Sequence, residues 1–262
     1  MDEPRFVIEA AEAESMAQSL SLSSVRHLLP ALVGPAQALA RPPISNYHVA
    51  AVGLGSDGRV FVGVNLEFPG LPLHHSVHAE QFLFGPYDLL DDQTPLLLEP
   101  HHNGLSLTGP ISDDNRENRQ NLSNGFSDHN LCNGVINNSV CNSALLKAAA
   151  MEAANESHAP YTNCPSGVAL MDCEGKVYKG SYAESAAYNP TLGPFQAALI
   201  AFVAGGGGGY DQIVAAALVE KEEAKVKQED TARLLLKAVS PKCELKVFHC
   251  SSTANFCKKA TN

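Results

Sequence analysis

The chain has 262 residues, 45% of them hydrophobic, which is enough for one or two globular domains with a buried core. Its formal net charge of −10 argues against a basic surface for nucleic acid or anionic membranes. The sequence has no apolar run of the roughly 18 residues that a transmembrane helix needs, and its acidic start lacks the pattern of a signal peptide. Seven cysteines without regular spacing favour a reduced, cytoplasmic protein.

The first third of the chain predicts helices followed by a β-hairpin. Residues 12–39 carry apolar side chains at helical spacing, and Pro30 is expected to divide them into two helices. Residues 47–55 and 59–66 are predicted strands, joined by a turn at Gly58. A helix that begins in the histidine-rich stretch 74–80 is expected next.

Part of this pattern recurs later in the chain. Residues 57–67 align with residues 174–184 at a constant offset of 117, and the turn glycines, the mid-strand glycines and the final glutamates coincide. The sequence therefore predicts an internal repeat. At the same offset His78 falls on Phe195 and Glu80 on Ala197, so the second copy lacks both polar groups.

The second copy continues further than the first. A helix over 194–203, a glycine loop over 205–209, a buried strand over 213–220, a helix over 229–239 and a strand over 243–250 are predicted. The glycine loop lacks the Lys-Ser/Thr of a phosphate-binding loop and is interpreted as a flexible connector. The first copy has no such strand–helix–strand unit after Leu83, and the Asn/Asp/Ser-rich residues 112–143 indicate a disordered linker.

The triplet His78-Ala79-Glu80 is one half of the H-x-E…P-C-x-x-C pattern of zinc deaminases. In that chemistry the histidine is a zinc ligand and the glutamate transfers protons without binding the metal. The triplet also occurs by chance, in which case it is a polar helix start on the surface.

Several motifs in one order resemble cytidine deaminase, specifically the two-lobed dimeric type of plants and some bacteria. They are I-S-N-Y at 44–47, G-V-N-L-E-F at 63–68, H-A-E-Q at 78–81, F-G-P with D-L at 84–89, and Y-A-E-S-A-A-Y-N-P at 182–190. The resemblance implies an α/β fold of three-layer α/β/α lobes around a mixed sheet. It further implies a first lobe at residues 1–110 that is truncated after Leu83, a linker at 111–143, a degenerate second lobe at 144–250 and a tail at 251–262.

The resemblance also implies site residues and a reaction. His78 would bind zinc, and Glu80 would carry protons while zinc-bound hydroxide converts cytidine or deoxycytidine to the uracil nucleoside in pyrimidine salvage. Asn65 and Glu67 would hold the ribose hydroxyls. Phe84 and Tyr188 would enclose the base, with Tyr188 supplied by the partner of a homodimer. No nucleic-acid or membrane partner is expected.

Two zinc ligands of that family are missing, because the sequence contains no C-x-x-C. The motif belongs to the segment absent between Leu83 and Phe84, and a catalytic zinc needs three protein ligands. An improvised site is one alternative: His74 and His78 are four residues apart and would share a helix face, and Cys132 or Cys141 would join them. Two hypotheses follow: a working deaminase whose written chain lacks a segment, or a catalytically dead relative that acts as a dimerisation or regulatory partner. In both cases the second lobe is expected to fold by itself.

Overall fold

A computed structural model describes residues 4–84, 138–185 and 190–250, with only the backbone described for Phe84 and for residues 138–141. The first part contains three strands and three α-helices in the order β1 (Val7–Ile8), α1 (Ala10–Ser19), α2 (Val25–Ala36), β2 (Ala50–Leu54), β3 (Val60–Val64) and α3 (Ala79–Phe84). The remainder contains α4 (Asn138–Asn155), β4 (Ser166–Asp172), β5 (Val177–Ser181), α5 (Pro194–Ala204), β6 (Ile213–Lys221), α6 (Glu229–Val239) and β7 (Leu245–Cys250).

The second lobe is a three-layer α/β/α sandwich. Its four strands are ordered β5-β4-β6-β7; β4 is antiparallel to both neighbours, and β6 is parallel to β7, so the sheet is mixed. Successive side chains of a strand point to opposite faces of the sheet. Val168 and Leu170 therefore pack with α5 and α6, whereas Ala169 and Met171 pack against α4. The predicted α/β class with a mixed sheet is confirmed.

The first lobe has a smaller sheet, ordered β1-β3-β2 and antiparallel throughout. Its β2–β3 hairpin has the register of the β4–β5 hairpin: Ala50 pairs with Val64 as Gly167 pairs with Ser181, and the offset of 117 holds along the ladder. In the second lobe the outer edge of β4 carries β6 and β7. Among the described residues, nothing pairs with the corresponding edge of β2, and β2 is half-buried where β4 is fully buried.

The structure sets helix boundaries at three places that the sequence left inexact or misplaced. The helical stretch divides at residues 20–24, and α2 runs through Pro30, whose fixed φ suits a helix and whose cost is offset by burial of Leu28 and Leu32. The helix expected from the histidine-rich stretch 74–80 does begin there, but only at Ala79; His74 and His75 lie in a separate 3₁₀ turn over Leu73–His75. Helix α4 begins at Asn138 and so includes the last six residues of the predicted 112–143 linker; the rest of that linker lies outside the described residues.

A single hydrophobic core joins the two lobes. It combines first-lobe side chains such as Val64, Phe68 and Phe82 with second-lobe side chains such as Phe195 and Phe202. A fragment limited to the second lobe would expose its share of this core to water, which argues against the independent folding expected from the sequence. None of the helices in the described ranges has the length and hydropathy needed to cross a membrane.

Arg41 holds the glycine loop 205–209 from the first lobe. Its Nη1 and Nη2 atoms donate to the carbonyl oxygens of Gly208 and Gly207, each at 2.8 Å, and its guanidinium lies 5.4 Å from the centre of the Tyr210 ring. The loop is therefore anchored to the other lobe, and its interpretation as a flexible connector was wrong.

We expect Arg41→Met to lower the free energy of unfolding by about 1.5–2 kcal/mol, because hydrogen bonds to charged groups stabilise by about that amount and this pair is partly exposed. Urea unfolding of the full chain measures it. Arg26→Met, at an exposed position of α2, is the control and should change stability by less than about 0.5 kcal/mol. Equal effects of the two substitutions would show that Arg41 does not join the lobes.

Candidate functional site

His78 lies immediately before α3, at the position that caps the helix. Its backbone N–H donates to Gln81 Oε1 at 2.9 Å, the reciprocal half of a capping box. Gln81 Nε2 in turn donates to the carbonyl oxygen of Pro190 at 3.2 Å, which ties the start of α3 to the second lobe. The side chains of His78 and Glu80 are both exposed. The two groups expected to act on a substrate therefore face solvent at the start of a short helix.

The other histidines do not extend this pair. His74 and His75 lie in the 3₁₀ turn, with ring centroids 4.3 Å apart, and an extended Ser76 separates that turn from α3. His74 and His78 thus belong to different elements, and the expectation that they share a helix face was wrong. Burial, and then the neighbouring His74, lowers the pKa of His75, so the ring favours its neutral form.

Close helix–sheet packing sets the position of α3. A Cβ atom on Gly63, in the middle of β3, would come within 3.0 Å of the carbonyl oxygen of Ala79 and of the backbone nitrogen of Leu83. Only glycine lets the helix approach the strand this closely.

The same contact in the second lobe corrects the alignment of the two copies. A Cβ on Gly180 would meet the carbonyl oxygen of Pro194 and the backbone nitrogen of Ala198. Ala79 thus corresponds to Pro194, an offset of 115, and the bridges Leu66–Val77 and Ala183–Leu192 show the same two-residue shortening. At the offset of 115, His78 therefore corresponds to Gly193 and Glu80 to Phe195. The offset of 117 had matched them with Phe195 and Ala197. The second copy still lacks both groups.

Asn65, predicted to bind ribose, uses its side chain to extend the hairpin. Its Oδ1 accepts from the backbone N–H of Val49 at 3.0 Å, and its Nδ2 donates to the carbonyl oxygen of Tyr47 at 2.9 Å. The amide thereby imitates a further pair of strand hydrogen bonds at the point where β3 ends.

Glu67 is buried, with 7% of its surface exposed, and its carboxylate binds the loop before β2. Oε2 accepts from the backbone N–H groups of Ile44 and Ser45, both at 2.9 Å, and Oε1 accepts from the Ser45 hydroxyl at 2.6 Å. Burial acts to raise the pKa of this carboxyl, but the hydrogen bonds from Ser45 and Ile44 outweigh it and hold the pKa of Glu67 below its ordinary value.

Glu184 makes the same contacts in the second lobe, at the offset of 117. It accepts from the backbone N–H groups of Tyr161 and Thr162 and from the Thr162 hydroxyl. The sequence alignment pairs Glu67 with Glu184 but does not reveal these hydrogen bonds, although Ser45 and Thr162 also coincide at the offset of 117. A carboxylate kept in a lobe without the H-x-E groups indicates a structural function for the pair.

Four predicted or alternative site groups lie outside the described residues: Tyr188, Cys132, and the side chains of Phe84 and Cys141. Their proposed roles stay predictions. Within the described ranges, neither His78 nor Glu80 belongs to any group of three or more His, Cys, Asp or Glu ligand atoms that could hold a metal ion.

Residues 81–233 match the model of a protein family described as the cytidine and deoxycytidylate deaminase zinc-binding region. The protein named Cytidine deaminase 1 of Arabidopsis thaliana is 46% identical over 321 aligned positions, which cover 95% of this chain and 99% of that protein. The chain belongs to the cytidine deaminase family.

The length of the alignment differs from one relative to another. The alignment with Cytidine deaminase 1 has 321 positions, 59 more than the 262 residues of this chain, so at least 59 residues of that protein align with a gap in this chain. The Arabidopsis protein named Probable inactive cytidine deaminase 4 is 42% identical over 271 positions, covering 95% of this chain and 97% of that protein. A crystal structure of cytidine deaminase from Mycobacterium leprae matches 40% of this chain and 86% of its own at 30% identity, with a TM-score of 0.34.

The family implies zinc, but the described residues do not fit it. His78 is solvent-exposed, and in the described ranges it belongs to no group of three ligand residues of the kind that a catalytic zinc needs. The full sequence contains no C-x-x-C pair to supply the others. A catalytic zinc site uses three protein ligands, so a lone imidazole does not make one.

Proposed function

We propose that this chain is a catalytically inactive member of the cytidine deaminase family that keeps the two-lobed framework and acts as a partner subunit. One observation carries the proposal: in the described part of the chain, the exposed His78 at the start of α3 belongs to no set of three residues that could hold a metal ion. Glu80 beside it then has no activated water from which to take a proton.

Alignment lengths support the proposal. The alignment with Cytidine deaminase 1 needs at least 59 gap positions in this chain, whereas the alignment with the probable inactive relative extends only 9 positions beyond the 262 residues. The second lobe keeps the β6–α6–β7 unit. The described residues of the first lobe contain no such strand–helix–strand unit. In the family resemblance, P-C-x-x-C lies at the start of the helix of that unit, so the two cysteine ligands are missing together with it.

The nucleoside-binding assignments become structural ones in this proposal. In the family resemblance Asn65 and Glu67 hold ribose, and Phe84 and Tyr188 enclose the base. Here the polar side-chain atoms of Asn65 and Glu67 all have protein partners. We infer that both residues now stabilise the loop between α2 and β2.

The alternative is a working enzyme of pyrimidine salvage in the cytoplasm, which deaminates cytidine or deoxycytidine with bound zinc. It requires a transcript that restores the missing segment between Leu83 and Phe84. His78 and Glu80 are both retained, which is the observation that favours it.

A gain-of-function chimera tests the proposal. The residues of Arabidopsis Cytidine deaminase 1 that align between Leu83 and Phe84 of this chain are inserted at that point. The chimera should hold one more zinc ion than the native chain and form uridine; His78→Ala in the chimera should remove that extra zinc. Glu80→Gln in the chimera should lower the rate by about 10²–10⁴-fold, the usual effect of general acid–base transfer. Uridine formation by the native chain at the rate of the chimera, with equal zinc content in the two proteins, would contradict the proposal.

We also propose that the chain forms a homodimer through its second lobe, where the Tyr188-Asn189-Pro190 segment resembles the family's cross-subunit turn. Size-exclusion chromatography with light scattering should give about twice the chain mass of 27.8 kDa. A strict monomer at high micromolar concentration would count against both the dimer and a role of Tyr188 across it.

A further inference from the structure

Three potential metal ligands meet at one end of the second-lobe sheet. Glu220 near the end of β6 and His249 near the end of β7 are register partners on neighbouring parallel strands. Glu229 is the first residue of α6, which follows β6. One ligand atom from each of the three residues lies within 4.8 Å of the others. Clefts beyond the carboxyl ends of parallel strands are common ligand sites in α/β sheets.

Glu220 supplies the observation that points to a ligand. Only 1% of its surface is exposed, and its Oε1 has no hydrogen-bond partner. The other oxygen, Oε2, accepts from the backbone N–H of Gln228 at 2.7 Å. A buried carboxylate oxygen without a donor is costly, and this one is directed towards His249, whose Nε2 lies 3.4 Å away.

Glu229 and His249 each offer one ligand atom to the same cluster. Glu229 uses Oε1 to bind Arg233, at 2.8 Å from Nε and 2.7 Å from Nη2, while its Oε2 lies 3.9 Å from His249 Nε2. Ligands bound at about 2.0–2.1 Å around a tetrahedral ion are roughly 3.4 Å apart. The 3.4 Å separation of Glu220 and His249 meets this spacing, and Glu229 Oε2 would have to approach His249 by about half an ångström to meet it as well.

We propose that Glu220, Glu229 and His249 bind one divalent transition-metal cation at this edge of the second lobe. Two carboxylates and one imidazole suit Zn²⁺ and similar ions better than Mg²⁺ or Ca²⁺, which prefer oxygen ligands alone. His249 and Glu229 are partly exposed, so the ion has a route from solvent. The site shares no residue with His78 and Glu80 and does not depend on the proposed loss of catalysis.

Zinc retention by the full chain tests the site. The protein is stripped with a chelator, equilibrated with Zn²⁺, passed through a desalting column and subjected to elemental analysis, with thermal unfolding measured in parallel. The native chain and the His78→Ala variant should both retain one Zn²⁺, and zinc should raise their Tm, because a ligand that binds only the folded state stabilises it. Glu220→Gln and His249→Asn should lose both the retained zinc and the rise in Tm.

His249→Asn keeps the test decisive if the buried Glu220→Gln variant fails to fold, because His249 lies at the surface. Zinc retention that survives His249→Asn would overturn the proposal, as would zinc that disappears only in His78→Ala. A native chain that retains no zinc and shows no rise in Tm would show instead that His249 is only an ion-pair partner of Glu220.

Discussion

Gly180→Ala should be among the most damaging single substitutions in the described part of the chain, lowering the free energy of unfolding by about 3 kcal/mol. A Cβ at this position would come within 3.0 Å of backbone atoms of Pro194, Ala197 and Ala198 in α5. Backbone atoms cannot rotate away as a flexible side chain can, so the helix must separate from β5. That separation loosens the core that both lobes share.

Gly34→Ala is the matched control, because it makes the same chemical change in an exposed part of α2. A Cβ there has nothing within 4 Å, and alanine is preferred to glycine inside a helix by about 0.8–1 kcal/mol. Urea unfolding of both variants should therefore show shifts of opposite sign. A Gly180→Ala variant as stable as the native chain would mean that α5 does not lie against β5 at this distance.

Glu67→Gln should lower the free energy of unfolding by about 3 kcal/mol, because hydrogen bonds to a charged acceptor contribute about 1.5–3 kcal/mol each. The new amide would also turn a donor towards the N–H groups of Ile44 and Ser45. Glu184→Gln should have a similar effect, since its carboxylate makes the same three contacts. Glu14→Gln, exposed in α1, should change stability by less than about 0.5 kcal/mol.

The effect of Glu67→Gln should also depend on pH. The pKa of Glu67 is held below the ordinary 4.5 in the folded chain. The stabilisation by its charged form is therefore fully present above about pH 4.5 and is lost as the pH falls through the lower folded-state pKa. The gap in stability between the native chain and the variant should narrow from pH 7 to pH 3. A gap that widens on acidification would contradict the assigned direction.

Elements with a clear period were predictable from sequence. The two hairpins, α5, α6 and β6 follow from alternating or helical apolar patterns bounded by glycine and proline. Local rules failed where tertiary contacts decide: α2 continues through Pro30 because the burial of Leu28 and Leu32 outweighs the local penalty. The loop between β5 and α5 is two residues shorter than the loop between β3 and α3. An alignment based on the strands could not show this, because nothing in the loop sequence indicates which residue of α5 contacts Gly180.

The candidate site was predictable only in part. The H-x-E triplet and the absence of C-x-x-C can both be read from the sequence. The functions of Glu67 and Glu184 cannot, because their partners lie 22 and 23 residues away, on a loop whose path only the fold defines. The Glu220–Glu229–His249 cluster likewise comes from strand register and a helix start that bring distant residues together.

An absorbance assay for conversion of cytidine to uridine by the native chain is the most direct test of the central claim that this family member is catalytically inactive. Arabidopsis Cytidine deaminase 1 serves as the reference protein, and the Glu80→Gln variant of this chain sets the background. With Zn²⁺ supplied, the native chain should form uridine no faster than its Glu80→Gln variant. Zinc-dependent uridine formation that Glu80→Gln abolishes would contradict the account.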